Sequence, residues 1–219
     1  MKNIITLLLI SLSLSFMTAG CDGHRDMPDT AMQPGHILCT DGQVLSYEKC
    51  DSLGKKPIAV VFYVNHDEDV SGLGYAVYLK DIGMAQFADS IGVSQGTSAD
   101  LSSLDGNENT FAIYNATAVS SPMGELVFDM WQYGQSAYIP SVAQMRLLYY
   151  SKGTVNRYIE ALGGDPLPDE ADDCWYWTST EVEGQQTAKA WLYSMGSGAI
   201  QETPKIQAHK VRPIVTINN

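Results

Sequence analysis

The stretch whose reading decides the fold is "DDCWYWTSTEVEGQQTAKAWLYSMGSG", residues 172–198. Two runs rich in aromatic and β-branched residues flank a polar insert broken by glycine. Such runs read as strands, and the insert as the excursion between them. Alternation in the first run puts Trp175 and Trp177 on one side, with Tyr176 and Thr178 on the other. Large aromatics dominate cores wherever they can be buried, so Trp175, Trp177 and Trp191 are expected to hold the platform. Tyr176 and Tyr193, on the alternate faces, are then the candidates for exposed stacking. The insert "EVEGQQTA" (181–188) and the later stretch "SMGSGAIQETPKIQ" (194–207) are polar and flanked by framework strands. Loops held by a rigid scaffold are where binding residues concentrate. The candidate ligand-binding set is therefore Tyr176, Glu181, Glu183, Gln185, Gln186, Tyr193, Gln201 and Glu202, the last two in the connection that follows the second strand.

Working outward, "HILCTDGQVLSY" (36–47) reads as strand, Asp-Gly turn, strand. "KPIAVVFYV" (56–64) is a near-continuous β-branched and aromatic run, the signature of a strand buried on both faces. "GYAVYLKDI" (74–82) is another strand, whereas 83–106 reads as loop with one helical turn, and "NTFAIYNATA" (109–118) as a short helix. In "IPSVAQMRLLYYS" (139–151), Ser141 and Gln144 have capping-box spacing, and Val142, Met145, Leu148 and Tyr149 share a face. "GTVNRYIEALGG" (153–164) predicts a further helix, capped by Thr154 and stopped by Gly163-Gly164. Short strands follow at 175–180, 188–194 and 211–217. Strands with segregated short helices and long loops mean an α+β fold.

The opening "MKNIITLLLISLSLSFMTAGC" has one cation, an apolar run and small residues up to Cys21. It reads as a secretory signal over 1–20, too short and wrongly flanked for a spanning helix. Thr18-Ala19-Gly20-Cys21 resembles a bacterial lipobox, with Thr18 where leucine is usual, so Cys21 is the expected lipidation site. A polar, proline-bearing tether over 21–35 then leads into one domain over 36–219. The chain carries 13 cations against 25 carboxylates, a net charge of −12, without any basic run. That argues against nucleic acid or anionic lipid headgroups as partners. The expected membrane contact is through the lipid anchor alone. Besides Cys21 there are Cys39, Cys50 and Cys174. Cys39 and Cys50 flank an apparent hairpin, which leaves a local disulfide open. No C-x-x-C and no paired histidines are present to indicate a metal site.

In order and spacing, "AYIPSVAQMRLLY", the glycine-stopped helix, "YWTSTE", "AWLYSMGSG" and "KVRPIV" resemble the bacterial Lcl C-terminal-domain family. That family's pattern runs roughly W-x-L-P-S…E-L, Y-W-S-S-T-E, A-W…G and V-R-P-V. "TDGQVLS", "IAVVFYV", "GYAVYLKDIG" and "DGNENTFAI" resemble the front half of gut-commensal lipoproteins of this kind, so the likeness covers about residues 36–217. Ala137 stands where an aromatic is common, and Gln144-Met145 replaces Glu-Leu; both touch packing at the helix start. The resemblance implies a C-type lectin-like fold of short antiparallel strands, two or three helices and long loops. It also implies a surface lipoprotein or fimbria-associated role, recognition by loops near the C-terminal strands, and no enzymatic activity.

Other motifs point elsewhere only weakly. "GVSQG" (92–96) matches the G-x-S-x-G elbow around Ser94, but neither the preceding strand nor the following helix that the motif needs is evident. "DGNEN" (105–109) starts like a calcium loop, yet Thr110 and Ala116 occupy the positions of the required Gly and Glu. "NHDED" (65–69) reads as a solvated strand end; calcium stays open without a motif to support it, and no cofactor is expected. The expected function is a non-enzymatic binding or adhesion protein, lipid-anchored in the cell envelope at the outer membrane and surface-exposed, with a glycan or protein ligand. The alternatives are a structural envelope or fimbrial subunit without its own ligand, and a serine hydrolase using Ser94.

Overall fold

A computed structural model describes residues 31–66, 72–128, 130–132, 135–170 and 173–218. The expected signal segment, Cys21 and most of the tether lie outside these residues, as does the acidic part of "NHDED". The described residues form α+β architecture with two five-stranded sheets.

The first sheet has the order β12-β4-β3-β1-β2, all antiparallel. Its strands are β1 (Ile37–Cys39), β2 (Val44–Leu45), β3 (Pro57–Val64), β4 (Gly74–Tyr78) and β12 (Ile214–Ile217). The second has the order β10-β9-β8-β11-β5, built from β5 (Met84–Gln86), β8 (Trp175–Glu181), β9 (Lys189–Ser194), β10 (Ile200–Pro204) and β11 (Ala208–Lys210). It is antiparallel except where β11 meets β8, Lys210 against Tyr176. A two-stranded ribbon joins β6 (Trp131–Gln132) to β7 (Gln135–Ser136). Four helices accompany the sheets: α1 (Tyr47–Ser52), α2 (Gly106–Asn115), α3 (Pro122–Phe128) and α4 (Val142–Ala161).

The central strands β3, β4, β8 and β9 are covered on both faces over most of their length. Along β4, Tyr75 and Val77 enter one core while Ala76 and Tyr78 enter the other. The first core gathers Val61, Ala76, Phe87, Ile113, Met123, Trp177 and Leu192. The second gathers Val60, Phe62, Val77, Tyr176 and Tyr193 with the α4 stripe Val142, Met145, Leu148, Val155 and Ile159. That stripe stays in phase through Gly153, which is why the two helices expected over 139–164 are one. The Ser141–Gln144 capping box opens it, and Thr154 is an interior residue rather than a cap. A lone glycine costs a helix only about 1 kcal/mol, which the buried stripe of this twenty-residue helix outweighs.

The "KVRPIV" motif explains how the chain end is fixed. Arg212 is fully buried, and its Nη1 donates to Asp81 Oδ1 at 2.7 Å. Its Nη2 donates to the carbonyls of Leu79 (3.1 Å) and Asp165 (2.7 Å). One guanidinium thus joins the end of β4, the loop after α4 and the start of β12, a fork geometry that lysine lacks.

Several elements differ from the sequence expectation. The helix α1 and the strands β5 and β10 fall in stretches read as hairpin end, loop or connection, and α3 and β11 in stretches given no secondary structure. The compact unit begins at Met32, inside the expected tether, and the Gly35 N–H donates to Val61 O at 2.8 Å. The described residues hold four helices, rather than two or three.

Trp177 occupies the centre of the first core. It is fully buried, its Nε1–H donates to Ala85 O at 3.0 Å, and its ring meets Phe87 edge-on at 5.6 Å. Trp177→Ala should cost about 3–5 kcal/mol, comparable to the whole stability of a marginal domain. Denaturant melts should show the midpoint falling sharply.

Candidate functional site

Strands β8, β9 and β10 pair antiparallel, with β10 at the edge of the second sheet and a bulge between Trp177 and Glu181 of β8. Trp191 of β9 lies opposite Glu202 of β10, Leu192 opposite Gln201, and Tyr193 opposite both Ile200 and Tyr176. Residues two apart share a face, so Lys189, Trp191 and Tyr193 stand on the α4 side together with Glu202 and Ile200. The insert between β8 and β9 is a tight turn rather than a floppy excursion. Gln185 N–H donates to Val182 O and Val182 N–H to Lys189 O, with Gly184 at φ 74°.

At this edge Glu202 is exposed and held. Its Oε2 accepts from Lys189 Nζ and from Gln185 Nε2, both at 3.1 Å. The Lys189 bond chiefly keeps the Glu202 carboxyl below the ordinary glutamate value. Trp191 is half-buried, so part of its indole reaches the surface beside this group. Further along the same face, the Tyr149 ring lies 6.2 Å from Tyr193 and 5.9 Å from Tyr150, which is 77% exposed. The exposed Arg146 on α4 lies near Tyr193. Half-buried Trp191 thus stands beside a fixed carboxylate, amide and ammonium, with half-buried Tyr149 and exposed Tyr150 on α4. Chemically, that can stack a flat apolar ligand face and exchange hydrogen bonds with its edge.

The predicted residues separate sharply. Gln185 and Glu202 are brought into contact; Glu183 is exposed at the turn, and Gln186 is half-buried beside it. Gln201 and Glu202 belong to a strand, not a connection, so their side chains leave opposite faces and do not line one surface. Tyr176, expected to be exposed, is fully buried and its hydroxyl donates to Asp81 Oδ2 at 3.1 Å. Burial first, and then the Asp81 carboxylate, hold its phenol well above the ordinary tyrosine value. Tyr193 is likewise buried, at 2% exposure. The α4 helix covers the face that alternation alone left open. Trp177 is core as expected, whereas Trp175 and Trp191 are half-buried. Lys189 is a candidate-site residue that the sequence analysis did not name, and Trp191 one that it assigned to the core platform. Their i, i+2 spacing with Tyr193 is the signal that could have found them.

Glu181 moves furthest from expectation. It closes β8 after a bulge and is wholly buried, ion-paired with the equally buried Lys205. Its Oε2 accepts from Ser94 Oγ (2.9 Å) and Thr97 Oγ1 (3.1 Å), and its Oε1 from Gln95 N–H (2.8 Å). Ser94 Oγ also accepts the Gly96 N–H at 3.1 Å. Ser94 therefore pins the 93–97 loop to a buried carboxylate. Asn109 does similar work for the "DGNEN" stretch, donating to Asp105 Oδ1 and accepting from Ser98 N–H. Among the described residues, no group of three or more His, Cys, Asp or Glu is placed to hold a metal ion, and no helix is long and apolar enough to cross a membrane.

Neither a protein-family model nor a curated protein sequence matches this chain.

Burial pushes the Lys205 ammonium below the ordinary lysine value, and Glu181 opposes that push. Removing one member strands the other charge, so Lys205→Ala should cost about 3–5 kcal/mol. The loop that Glu181 holds should loosen with it. Limited proteolysis within 89–97 would read that loosening beside the global melt.

Proposed function

We propose that this chain is a lipid-anchored cell-surface binding protein of C-type lectin-like fold. In this reading it takes a glycan or protein ligand on the β9–β10 edge. One observation carries it: half-buried Trp191 stands directly opposite Glu202, whose carboxylate is already fixed by Gln185 and Lys189. A partly exposed indole beside pre-oriented polar groups offers stacking area at low ordering cost, the combination that recognition surfaces favour. The lipobox-like Thr18-Ala19-Gly20-Cys21 supports the anchor, and the ordered "YWTSTE", "AWLYSMGSG" and "KVRPIV" motifs support the likeness to Lcl-type surface lipoproteins.

A second observation favours docking of an envelope or fimbrial protein, as a structural subunit would require. A groove of about 810 Å³ lies between β5 and α3, lined by Met84, Gln86, Pro122, Glu125, Leu126 and Ala208. Met84 and Leu126 are 65% and 44% exposed there. A stoichiometric partner recovered by membrane crosslinking, and lost on Met84→Asp, would favour this second role.

The primary reading is tested by glycan-array and host-matrix binding of the purified protein, its Trp191→Ala variant and its Glu202→Ala variant. Truncating a tryptophan at the centre of a recognition surface typically costs about 2 kcal/mol or more, roughly thirtyfold in Kd. Glu202→Ala should weaken binding while shifting stability by only about 0.5 kcal/mol. Unchanged affinity in both variants would move recognition away from this edge. For the anchor, Cys21→Ser should abolish incorporation of labelled fatty acid, and normal labelling would remove that part of the proposal.

A further inference from the structure

The first turn of the folded unit brings two thiols together. Cys39 ends β1 and Cys50 sits in α1, eleven residues later, with their sulfur atoms 3.7 Å apart. Both are buried, at 0% and 2% exposure. Neither end of the gap depends on closing it. Cys39 N–H donates to Gln43 O and Gly42 N–H to Cys39 O, which fixes the hairpin. Cys50 N–H donates to Ser46 O and Lys55 N–H to Cys50 O, which fixes the helix. The Lys55–Asp41 ion pair, at 2.6 Å, ties the same two segments from outside. A disulfide requires about 2.05 Å between sulfurs, so the two sulfurs need only approach each other within a frame that already exists.

Cys50 is also the one buried residue of α1, whose Glu48, Lys49, Asp51 and Ser52 are all exposed. A helix of six residues is far too short to persist by itself. What seats it is the half-buried Tyr47, 6.0 Å from the Tyr158 ring, and a thiol resting on a thiol. Opening α1 is therefore a small local event of the kind that precedes global unfolding, and it would carry Cys50 to solvent.

We propose that Cys39 and Cys50 form a redox-active dithiol that closes to a disulfide by exchange with a small-molecule disulfide, pinning α1 to the end of β1. With oxidised glutathione as oxidant, the Cys50 thiolate attacks one glutathione sulfur and expels the other half as a thiolate. Cys39 then attacks the Cys50 sulfur of the mixed disulfide and expels the second glutathione. Two electrons pass from the protein sulfurs to the glutathione sulfurs, and the two cysteine protons end on two glutathione thiols. Burial, with the neighbouring Cys50 sulfur and the Asp41 carboxylate adding to it, pushes the Cys39 thiol up to about 12. In the closed fold Cys39 therefore stays protonated, and exchange runs through the opened helix or during folding.

The full chain, equilibrated across glutathione redox buffers either folded or during refolding, tests this by differential alkylation and peptide mass spectrometry. Alkylated after an acid quench and denaturation, Cys39 and Cys50 should lose reactivity together at one midpoint, yielding a linked peptide lighter by two hydrogen atoms. Cys174, whose sulfur lies 3.1 Å from Ser194 Oγ, should stay unlinked and serves as the internal reference. The oxidised protein should melt higher than the reduced one, and Cys50→Ser should erase that redox-dependent difference. Closure seen only on refolding still supports the pair, since burial limits access. Cys39 and Cys50 remaining alkylatable at the oxidising limit of both protocols would overturn it, as would linkage of either to Cys21 or Cys174.

Discussion

Glu181 and Lys205 face each other entirely out of water, where β8 runs into its turn and β10 has just ended. Desolvating two charges costs several kcal/mol for each, so such a pair persists only where further bonds satisfy it. The surrounding chain supplies them. Ser94, Gln95 and Thr97 all donate to the carboxylate, while the ammonium lies 5.1 Å from the centre of the Phe87 ring. The 93–97 loop is consequently held to the second sheet although its Gly-Ser composition suggests freedom. Phe87 in turn meets Trp177, so the ion pair and the largest core ring share a neighbour. Disturbing the pair would reach the loop, the core and the exit of β8 together.

The same arrangement shows which parts of the fold could be read from sequence. Long, strongly patterned elements were legible: β3 and β4 from their continuous apolar runs, the first hairpin from Asp-Gly, and the start of α4 from Ser141 and Gln144. Short elements were not. The strand β5 has three residues and β11 has three, too few for any period to emerge, and both depend on pairing with each other. The helix α1 is seated by a buried thiol and one aromatic contact, neither of which is visible as a pattern along the chain. Gly153 misled in the opposite direction. Its local cost to a helix was legible, whereas the in-phase stripe on either side of it was the larger effect.

Of the residues expected to face a ligand, Glu183, Gln185, Gln186, Gln201 and Glu202 keep surface exposure, whereas Tyr176, Glu181 and Tyr193 are buried. Alternation assigns side chains to two faces, and it says which face is wet only when one of them is. Here both faces of β8 and β9 are covered over most of their length. The indole of Trp177 and the phenols of Tyr176 and Tyr193 are therefore all interior, one set against each core. On β9, exposure returns at Lys189 and Trp191, beside the β10 edge. Trp191 reaches that margin and Tyr193 does not, a distinction of position along the strand that composition cannot carry. Glu181 fails for a related reason. An acidic residue beside a glycine-bearing turn reads as solvated, and it is the distant Lys205 together with the 94–97 donors that sustains its burial.

The β10 edge itself follows from these constraints. An edge strand offers unpaired backbone groups that invite uncontrolled pairing, and charged or polar side chains are one way of blunting it. Gln201 and Glu202 are both exposed on β10, yet they leave from opposite faces and meet different neighbours. Gln201 projects from the face that carries Leu192 and Trp177 deeper in the sheet. Glu202 projects beside Trp191, where Gln185 and Lys189 fix its carboxylate. Protection of the edge would need only the charge. Fixing that charge between an amide and an ammonium, next to a half-buried indole, gives it a direction that protection of the edge does not require.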